Sequence, residues 1–551
     1  MRDFLDREIH ANYQIFDSKE GIERGPALLK KMGELGFLGI GVPEAYGGFE
    51  ADFRTQLAFG EVAYASWSFG LTIGVQTSLG IAPLLLYGNK AQKDKYLPGI
   101  VSADRKSCYC LTEPTAGSDA NSGKTRAILN EAGTHYLLNG QKMWITNSGF
   151  ADLFFVFAKI GDDEKLSCLI VEKDFGGIRL GAEEEKMGIR GSSTRQVFFE
   201  DVPVPAENLL GERGEGFKIA LNVLNTGRIK MATTVTGTAK RAMQYAATYA
   251  GERRQFGQTL DQFDAIQAKL ADMAQRIYAM ETIAFRIGGQ IDDACTQLIK
   301  EGVDPQQAEQ KAIASYAMEC ALAKVHNTEA DAWVIDEALQ IHGGMGYSAE
   351  TPIETMYRNQ RINRIYEGTN EINRMLSIDM LLRKAMKGQL PLLQEAIKAR
   401  QAIQSGQWLM EEPNSERTYL RGARTLSLAI MALVGERLLP TLKQEQQLML
   451  ALADVFTELF ALESVMLRGE QQAKDRSELR NSLTKLQLAH SGGVVYRSLR
   501  TVIPQVSEGE ERNRLLDALG QLDRVAVVPV IPIKREVALA VKEANGYPFS
   551  S

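Results

Sequence analysis

The spacing of apolar and polar residues divides the chain into four blocks. In residues 1–107, apolar side chains recur at three- and four-residue intervals that end at glycines, a pattern that predicts helices. Between 108 and 208, short runs of β-branched and aromatic residues alternate with turn signals such as Asn-Gly and Gly-Gly, which predicts a compact β-barrel or sandwich. Helical spacing returns in 209–384, where it predicts a bundle, and continues through 385–551.

This order of blocks sets the predicted fold class. We expect an α+β chain, mainly α, with an N-terminal helical domain, a central β domain, a helical bundle and an extra C-terminal helical domain. Strands do not alternate with helices, so a Rossmann domain is not indicated. A polar stretch at 411–416 is expected to be a loop.

No membrane-spanning helix is predicted, because the apolar runs at 426–434 and 525–533 are shorter than the ~20 residues that a spanning helix needs. The N-terminus is charged from its first residues and lacks the apolar core of a secretory signal. We therefore expect a cytoplasmic bacterial protein, at most peripheral to the inner membrane. If a transit peptide has been removed, the expected location is the mitochondrial matrix.

Composition narrows the classes of function. Hydrophobic residues make up 44% of the chain and charged residues 24%, which is ordinary for a soluble globular protein. The net charge of −6 lacks the basic footprint of a nucleic-acid-binding protein. Five cysteines, an odd number in so long a chain, argue against a disulfide framework. Cys108 and Cys110 are expected to be packed thiols, and no metal site is predicted.

Two stretches of the β domain carry candidate binding chemistry. Residues 109–119 run from a strand into a loop of Gly, Pro, Thr and Ser, whose backbone donors and hydroxyls can hydrogen-bond a heterocycle or a phosphate. Residues 141–147 place Trp144 on a strand. Taken alone, the first is more often a turn and the second more often part of a core.

A third stretch, 364–372, offers a candidate base. Gly368 ends the preceding segment and Thr369 can cap the helix that follows. Glu367 is therefore expected in the turn before a helix, with its side chain free to point into a cleft. Among 69 acidic residues, a single carboxylate is more often surface charge than a base.

These three stretches, in this order and across a helical–β–helical layout, resemble the acyl-CoA dehydrogenase family over roughly residues 20–384. The extension beyond them is closest to the very-long-chain type. The resemblance implies FAD-dependent oxidation of a long-chain acyl-CoA to the trans-2-enoyl-CoA. In that reaction Glu367 takes the α-proton, hydride passes to flavin N5, and electrons go on to electron transfer flavoprotein.

The resemblance also implies which residues contact FAD and acyl-CoA. The implied FAD contacts come from all three stretches and from two further segments that match the family: Tyr109, Leu111, Thr112, Trp144, Thr146, Arg253, Phe256, Gln340, Gly343, Gly344, Thr369 and Glu371. The implied acyl-CoA contacts are Ser118, Asn225, Arg228 and Gly368. In the family, Arg253 and Phe256 correspond to residues that reach the FAD of a neighbouring subunit, which implies a homodimer.

The position before Arg228 provides a check on the base. Some relatives carry their base there instead, and here that residue is Gly227, which favours Glu367. Glu113 lies in the implied flavin loop, and Glu354 is expected to form an ion pair. The five histidines form no recognisable Ser/His/Asp set, so hydrolase chemistry has no support.

Two features suggest long-chain substrates. Residues 76–83 resemble the helix that closes the acyl pocket in the family, and here they include the small residues Gly80 and Ala82. The extension from 385 resembles the tail of very-long-chain members, which implies a homodimer and peripheral membrane contact. Two alternatives stay open: an acyl-CoA oxidase that uses oxygen, and a respiratory-complex assembly factor that has retained the fold.

Overall fold

The structure, a computed structural model, describes residues 1–408, 415–471 and 476–549. The chain forms two compact units, each built from separate stretches of sequence. Unit 1 contains residues 1–238, 287–320 and 349–368. Unit 2 contains residues 239–286, 321–348 and 369 onward.

The N-terminal block is helical, as predicted. Its helices are α1 (Arg2–Glu8), α2 (Lys19–Glu34), α3 (Phe53–Ala63), α4 (Trp67–Gly74), α5 (Ala82–Tyr87) and α6 (Lys90–Val101). A capping box formed by Asn89 and Gln92 begins α6. On α2, Leu28, Leu29 and Met32 share one buried face, which explains the spacing of apolar residues there.

The sequence analysis predicted no membrane-spanning helix from the apolar runs at 426–434 and 525–533, but a longer apolar segment exists. Within the described residues, the helical segment Trp67–Tyr87 is long and apolar enough to cross a membrane, with a mean hydropathy of 1.6. However, 78% of its most apolar window is buried inside the protein. The core helix of a soluble protein has the same features, so burial explains the composition of this segment.

The central block forms one mixed eight-stranded sheet. Its strands are β1 (Ser107–Cys110), β2 (Arg126–Leu129), β3 (His135–Thr146), β4 (Leu153–Ile160), β5 (Leu166–Glu172), β6 (Ile178–Glu183), β7 (Thr194–Pro205) and β8 (Leu209–Leu210). The order is β6-β7-β3-β2-β4-β5-β8, with β1 pairing in parallel with β4. β2 also runs parallel to β4, whereas the other neighbours are antiparallel.

Two predicted strand runs of this block, 136–138 and 142–146, belong to the single strand β3. Cys108 and Cys110 are buried on one face of β1 with their sulfur atoms 3.8 Å apart, which confirms that they are packed thiols.

Long helices follow the sheet, as predicted. They are α7 (Gly216–Glu252), α8 (Asp264–Lys300), α9 (Pro305–Ser315), α10 (Ala317–His342), α11 (Gly344–Tyr347), α12 (Pro352–Gln360) and α13 (Asn370–Met386). A short hairpin of β9 (Arg254–Gln255) and β10 (Gln258–Thr259) separates α7 from α8.

The C-terminal extension is entirely helical in its described residues. Its helices are α14 (Leu392–Ser405), α15 (Ser415–Arg437), α16 (Gln446–Gln471), α17 (Ser477–Val506), α18 (Gly509–Val525) and α19 (Val530–Ala544). Leu426, Ile430, Leu452 and Val502 belong to one fully buried core within unit 2. Of the loop predicted at 411–416, residues 411–414 lie outside the described residues, and α15 begins at Ser415.

Candidate active site

Glu367 lies in a turn immediately before α13, as predicted. Its backbone φ is 57° and that of Gly368 is 82°, so two successive residues adopt the left-handed conformation. Thr369 then caps the helix by accepting a hydrogen bond from the Ile372 N–H at 3.3 Å. A left-handed glutamate costs on the order of 1–3 kcal/mol, and such strain concentrates at functional sites.

The carboxylate of Glu367 occupies the space that a side chain at position 227 would need. A Cβ atom built on Gly227 would lie 2.9 Å from Glu367 Oε2 and 3.3 Å from Leu79 Cδ2. The first distance is too short for a real carbon, and both groups belong to unit 1. A side chain at position 227 would therefore have to displace the Glu367 carboxylate, which agrees with the exclusion between the two bases suggested by the sequence.

Arg228 fixes the backbone of the same turn. Its guanidinium is only 3% exposed; Nε donates to the Glu367 carbonyl oxygen at 3.1 Å, and Nη1 donates to Asn225 Oδ1 at 2.9 Å. Burial lowers the pKa of Arg228, while the Glu367 carboxylate opposes that shift. Asn225 and Arg228 were predicted to contact acyl-CoA, and that role stays a prediction. What they do within the protein is hold the candidate base.

Tyr109, on β1, brings the β domain to this turn. Its hydroxyl is buried and has no hydrogen-bond partner among the described residues. Burial raises its pKa well above the usual value; the charge of Glu367 adds to the shift and that of Arg228 opposes it, so these groups lie close enough to interact. A buried hydroxyl without a partner costs about 1–3 kcal/mol, which suits a position that hydrogen-bonds a ligand.

The loop after β1 is held by a buried ion pair. Lys142 Nζ donates to Glu113 Oε1 at 2.7 Å, to the Phe157 carbonyl at 2.7 Å and to the Leu111 carbonyl at 3.1 Å. Glu113 also accepts from the backbone N–H groups of 124 and 125. Burial alone would raise the pKa of Glu113, but Lys142 and these donors hold it below the usual value. Glu113 is therefore committed to structure and unsuited to act as a base.

An irregularity in β3 leaves the Trp144 side chain exposed. The pairing of β3 with β7 shifts register between Lys142 and Ile145, and Trp144 between them has a φ of 55°. Its side chain is 59% exposed, which excludes the core position expected of an ordinary strand tryptophan. Bulges next to active sites re-aim side chains in this way. Thr146, at the end of the same strand, is half-buried, and Ser118 lies exposed in the loop after β1.

Unit 2 carries the remaining predicted FAD contacts. Phe256, in the β9–β10 hairpin, has a φ of 51° and is 94% exposed, and the neighbouring Arg253 is exposed as well. Gln340, Gly343 and Gly344 are exposed at the end of α10. A helix precedes these glycines, so they do not form a dinucleotide fingerprint.

At the start of α13, still in unit 2, Thr369 acts as the cap and Glu371 is exposed. Both were predicted to contact FAD, and both roles stay predictions.

Each unit, taken by itself, contains residues suited to contact a flavin. Unit 1 offers the unpartnered Tyr109 hydroxyl, the fixed loop at 111–112 and the exposed ring of Trp144, all neutral groups suited to a heterocycle. Unit 2 offers an exposed arginine and an exposed aromatic ring in one hairpin. Trp144, Phe256 and Glu367 are all non-glycine residues with positive φ, a feature confined to eleven positions among the described residues.

The other carboxylate weighed as a base is also accounted for. Glu354 receives the guanidinium of Arg358 at 2.9 Å, which confirms the predicted ion pair. The sequence did not indicate a role for two lysines of unit 1. Lys142 lies inside a motif that was recognised, and Lys230 lies two residues after Arg228 in a helix whose neighbours are mostly apolar. For Lys230 the only signal in the sequence is a lysine at an inward-facing helix position, and for Lys142 it is a lysine within a strand of the motif.

Comparison with known proteins identifies relatives over the whole chain. Models of the acyl-CoA dehydrogenase N-terminal, middle and C-terminal domains match residues 1–104, 108–202 and 214–382, and a further acyl-CoA dehydrogenase C-terminal domain model matches 422–521. A probable acyl-CoA dehydrogenase of Bacillus subtilis is 39% identical over 99% of this chain and 93% of that protein.

Two further relatives match different fractions of this chain. The very long-chain specific mitochondrial acyl-CoA dehydrogenase of Rattus norvegicus is 40% identical over 65% of this chain, which is about half (53%) of that protein's length. The crystal structure of an acyl-CoA dehydrogenase complexed with FAD from Bacillus anthracis superposes with a TM-score of 0.95 at 41% identity, covering 99% of this chain and 94% of that one.

Proposed function

The chain belongs to the acyl-CoA dehydrogenase family and is a FAD-dependent oxidoreductase; from that premise we propose that it oxidises long-chain acyl-CoA to trans-2-enoyl-CoA with Glu367 as the base. The observation that carries the assignment of the base is the left-handed turn in which the Glu367 carboxylate fills the space beside Gly227. The other two carboxylates considered are bound in ion pairs.

The proposed reaction removes two hydrogens from neighbouring carbons. Glu367 takes the proton from the carbon next to the thioester, and the β-hydrogen leaves with its electron pair. The chemistry that FAD supplies when bound is acceptance of that pair. Arg228 holds the Glu367 carbonyl, so the base cannot drift as it takes the proton. Tyr109, Leu111, Thr112, Trp144 and Thr146 are the unit 1 residues that would hold the ring.

Support for long-chain substrates comes from the extension and from one wall residue. The extension is helical in its described residues and shares a buried core with α13, and relatives at 40% identity are very long-chain specific enzymes. Ala82 lines a cavity in unit 1, in agreement with the sequence argument. Gly80 does not support it: a Cβ there would overlap Ser107 Oγ, so this glycine allows close packing and opens no space.

The proposed partners follow from the same family membership. Electron transfer flavoprotein is the proposed acceptor of the electrons, and a second copy of the chain is the proposed neighbour. The exposed, strained Phe256 and the nearby Arg253 support a homodimer, because an exposed aromatic ring gains most from contact with another subunit's cofactor. Peripheral membrane contact through the extension is a weaker proposal, drawn from resemblance alone.

The test is an anaerobic titration of the FAD-loaded protein with saturated acyl-CoAs of increasing length, followed by flavin absorbance. We expect bleaching with the native protein and a loss of rate of at least about 10³-fold in Glu367→Gln, which keeps the shape of the side chain but cannot take a proton. Glu212→Gln, which alters an exposed glutamate of the same unit, is the matched control and should bleach normally. A yellow native protein that never bleaches would contradict the proposal, and steady peroxide formation in air would favour an oxidase.

A further inference from the structure

A small cavity in unit 1 has two charged side chains in its lining. It has about 30 Å³ of space for the centre of a water-sized sphere, enough for one or two water molecules. Its lining is mostly apolar but includes Lys230 of α7 and Glu309 of α9.

The walls of this cavity are the elements that also border Glu367. On α7, Gly227 touches the Glu367 carboxylate, and its neighbour Thr226 and the next-turn residue Lys230 line the cavity. Three residues along a helix advance about 4.5 Å and stay on one face. On the opposite wall, Leu79 approaches Gly227, and Ile81 lines the cavity. Lys230 therefore lies one helical turn beyond the residue that borders the base.

Lys230 and Glu309 face the cavity and feel each other's charge, but neither side chain has a hydrogen bond to a described residue. Lys230 is only 8% exposed, and no hydrogen bond or ion pair joins its ammonium, or the carboxylate of Glu309, to any residue that the structure describes. Burial lowers the pKa of Lys230 to about 8, and burial raises the pKa of Glu309.

The neutral polar groups of the lining are, in contrast, already bonded elsewhere. Thr77 Oγ1 donates to the Ile73 carbonyl at 2.8 Å, and Thr226 Oγ1 donates to the Asn222 carbonyl at 3.2 Å. Gln56 Nε2 donates to the Ala51 carbonyl at 3.1 Å. Lys230 and Glu309 are thus the charged groups of the lining, and neither side chain has a hydrogen bond to a described residue.

We propose that Lys230 and Glu309 form part of the wall of the acyl channel and select acyl chains whose terminal hydroxyl reaches them. A hydroxyl accepts a hydrogen bond from an ammonium and donates one to a carboxylate, so it bridges both groups and replaces water. A plain methyl end dehydrates both charges and bonds neither. A terminal carboxylate is repelled by Glu309, and a terminal amine is repelled by Lys230.

This inference rests on the proposed function, since it takes the cavity as part of an acyl-CoA channel. Its test uses binding, which requires no turnover. Dissociation constants of the FAD-loaded protein are measured for 2-enoyl-CoA products in pairs, one with a methyl end and one with a terminal hydroxyl, from butenoyl to eicosenoyl. We expect a chain length at which the hydroxyl form binds at least about tenfold more tightly, because a site built for a hydroxyl leaves its own groups unpaired without one.

Two variants and a matched control locate the effect. Lys230→Met and Glu309→Gln should each reduce the hydroxyl preference to less than about threefold and should leave the shortest pair unchanged. Lys93→Met removes another lysine whose charge reaches Glu309 but which does not line the cavity, and it should retain the preference. The comparison of methyl-ended and hydroxyl-ended products in the native protein remains valid even if a variant fails to fold.

Equal affinity of the two members of every pair in the native protein would overturn the inference, as would a preference that survives both variants. Failure of the proposed function has a different signature, since the flavin would then bleach with no acyl-CoA whatever the binding preference.

Discussion

Unit 1 contains two lysine–glutamate pairs, one fully buried and one with a buried lysine and a half-buried glutamate, that differ in their hydrogen bonds. Lys142 and Glu113, in the β domain, are 1% and 4% exposed and meet at 2.7 Å, with two carbonyls and two backbone N–H groups completing their bonds. Lys230 and Glu309, in the helical part, share a cavity but bond neither each other nor any other described residue. The first pair is saturated and the second is open.

The difference in hydrogen bonding distinguishes a pair that stabilises the fold from a pair that could bind a ligand. Moving two charges out of water costs several kcal/mol per ion, and only close contact with further hydrogen bonds offsets that cost. The saturated pair meets this condition, so its role is to hold the loop that carries Leu111 and Thr112. The open pair lacks such hydrogen bonds, so it lowers the stability of the fold. A polar group of a ligand would supply the missing bonds.

The largest effect is expected from breaking the saturated pair. Lys142→Met leaves the Glu113 carboxylate buried without its cation and should lower the free energy of unfolding by about 3–5 kcal/mol. Because Lys142 also bonds the Leu111 carbonyl, FAD content after purification should fall too. Urea unfolding followed by circular dichroism measures the first effect, and the ratio of flavin to protein absorbance measures the second.

Lys173→Met, at a more accessible lysine of the same β domain, is the matched control and should change the free energy of unfolding by less than about 0.5 kcal/mol. If Lys142→Met unfolds at the native urea concentration, the saturated pair is not structural and the comparison fails.

Removing the open pair should have a smaller effect of the opposite sign. In Lys230→Met/Glu309→Met, two unbonded buried charges give way to apolar side chains of similar volume, so the free energy of unfolding should rise by about 2 kcal/mol. The same urea measurement tests this. A loss comparable to that of Lys142→Met would mean that the open pair is a structural ion pair after all.

Sequence reasoning succeeded where the determinants are local. Thr369 caps the helix that its own neighbours form, and the glycine after Glu367 leaves that glutamate in a turn; both can be predicted from a few consecutive residues. The family motifs located the same segment. The β domain was also predictable, although the two runs that form β3 look like separate strands because Asn139-Gly140 between them has the composition of a turn; in the structure β3 continues through a register shift there.

The two ion pairs could not be predicted for a physical reason. Lys142 and Glu113 are 29 positions apart, and Lys230 and Glu309 lie on different helices. Which carboxylate meets which lysine depends on packing between elements, and whether a pair is saturated depends on backbone groups from still other segments. Gly80 shows the same limit: the sequence identifies a small residue, but only the structure shows that it faces Ser107 and not a channel.

The smallest expected effect is a dependence of the free energy of unfolding on pH, caused by the titration of Lys230. Burial lowers its pKa from 10.5 to about 8, so above pH 8 the folded protein has lost a proton that the unfolded chain still holds. Stability rises with pH wherever the unfolded state binds more protons, so native stability should gain about 1 kcal/mol relative to Lys230→Met between pH 8 and pH 9. In Glu309→Gln the gain should begin at a lower pH, because the carboxylate that raises the lysine's pKa is gone. Urea midpoints at half-unit pH steps measure all three proteins, and parallel curves for native and Lys230→Met would show that this lysine keeps its ordinary pKa and is not desolvated.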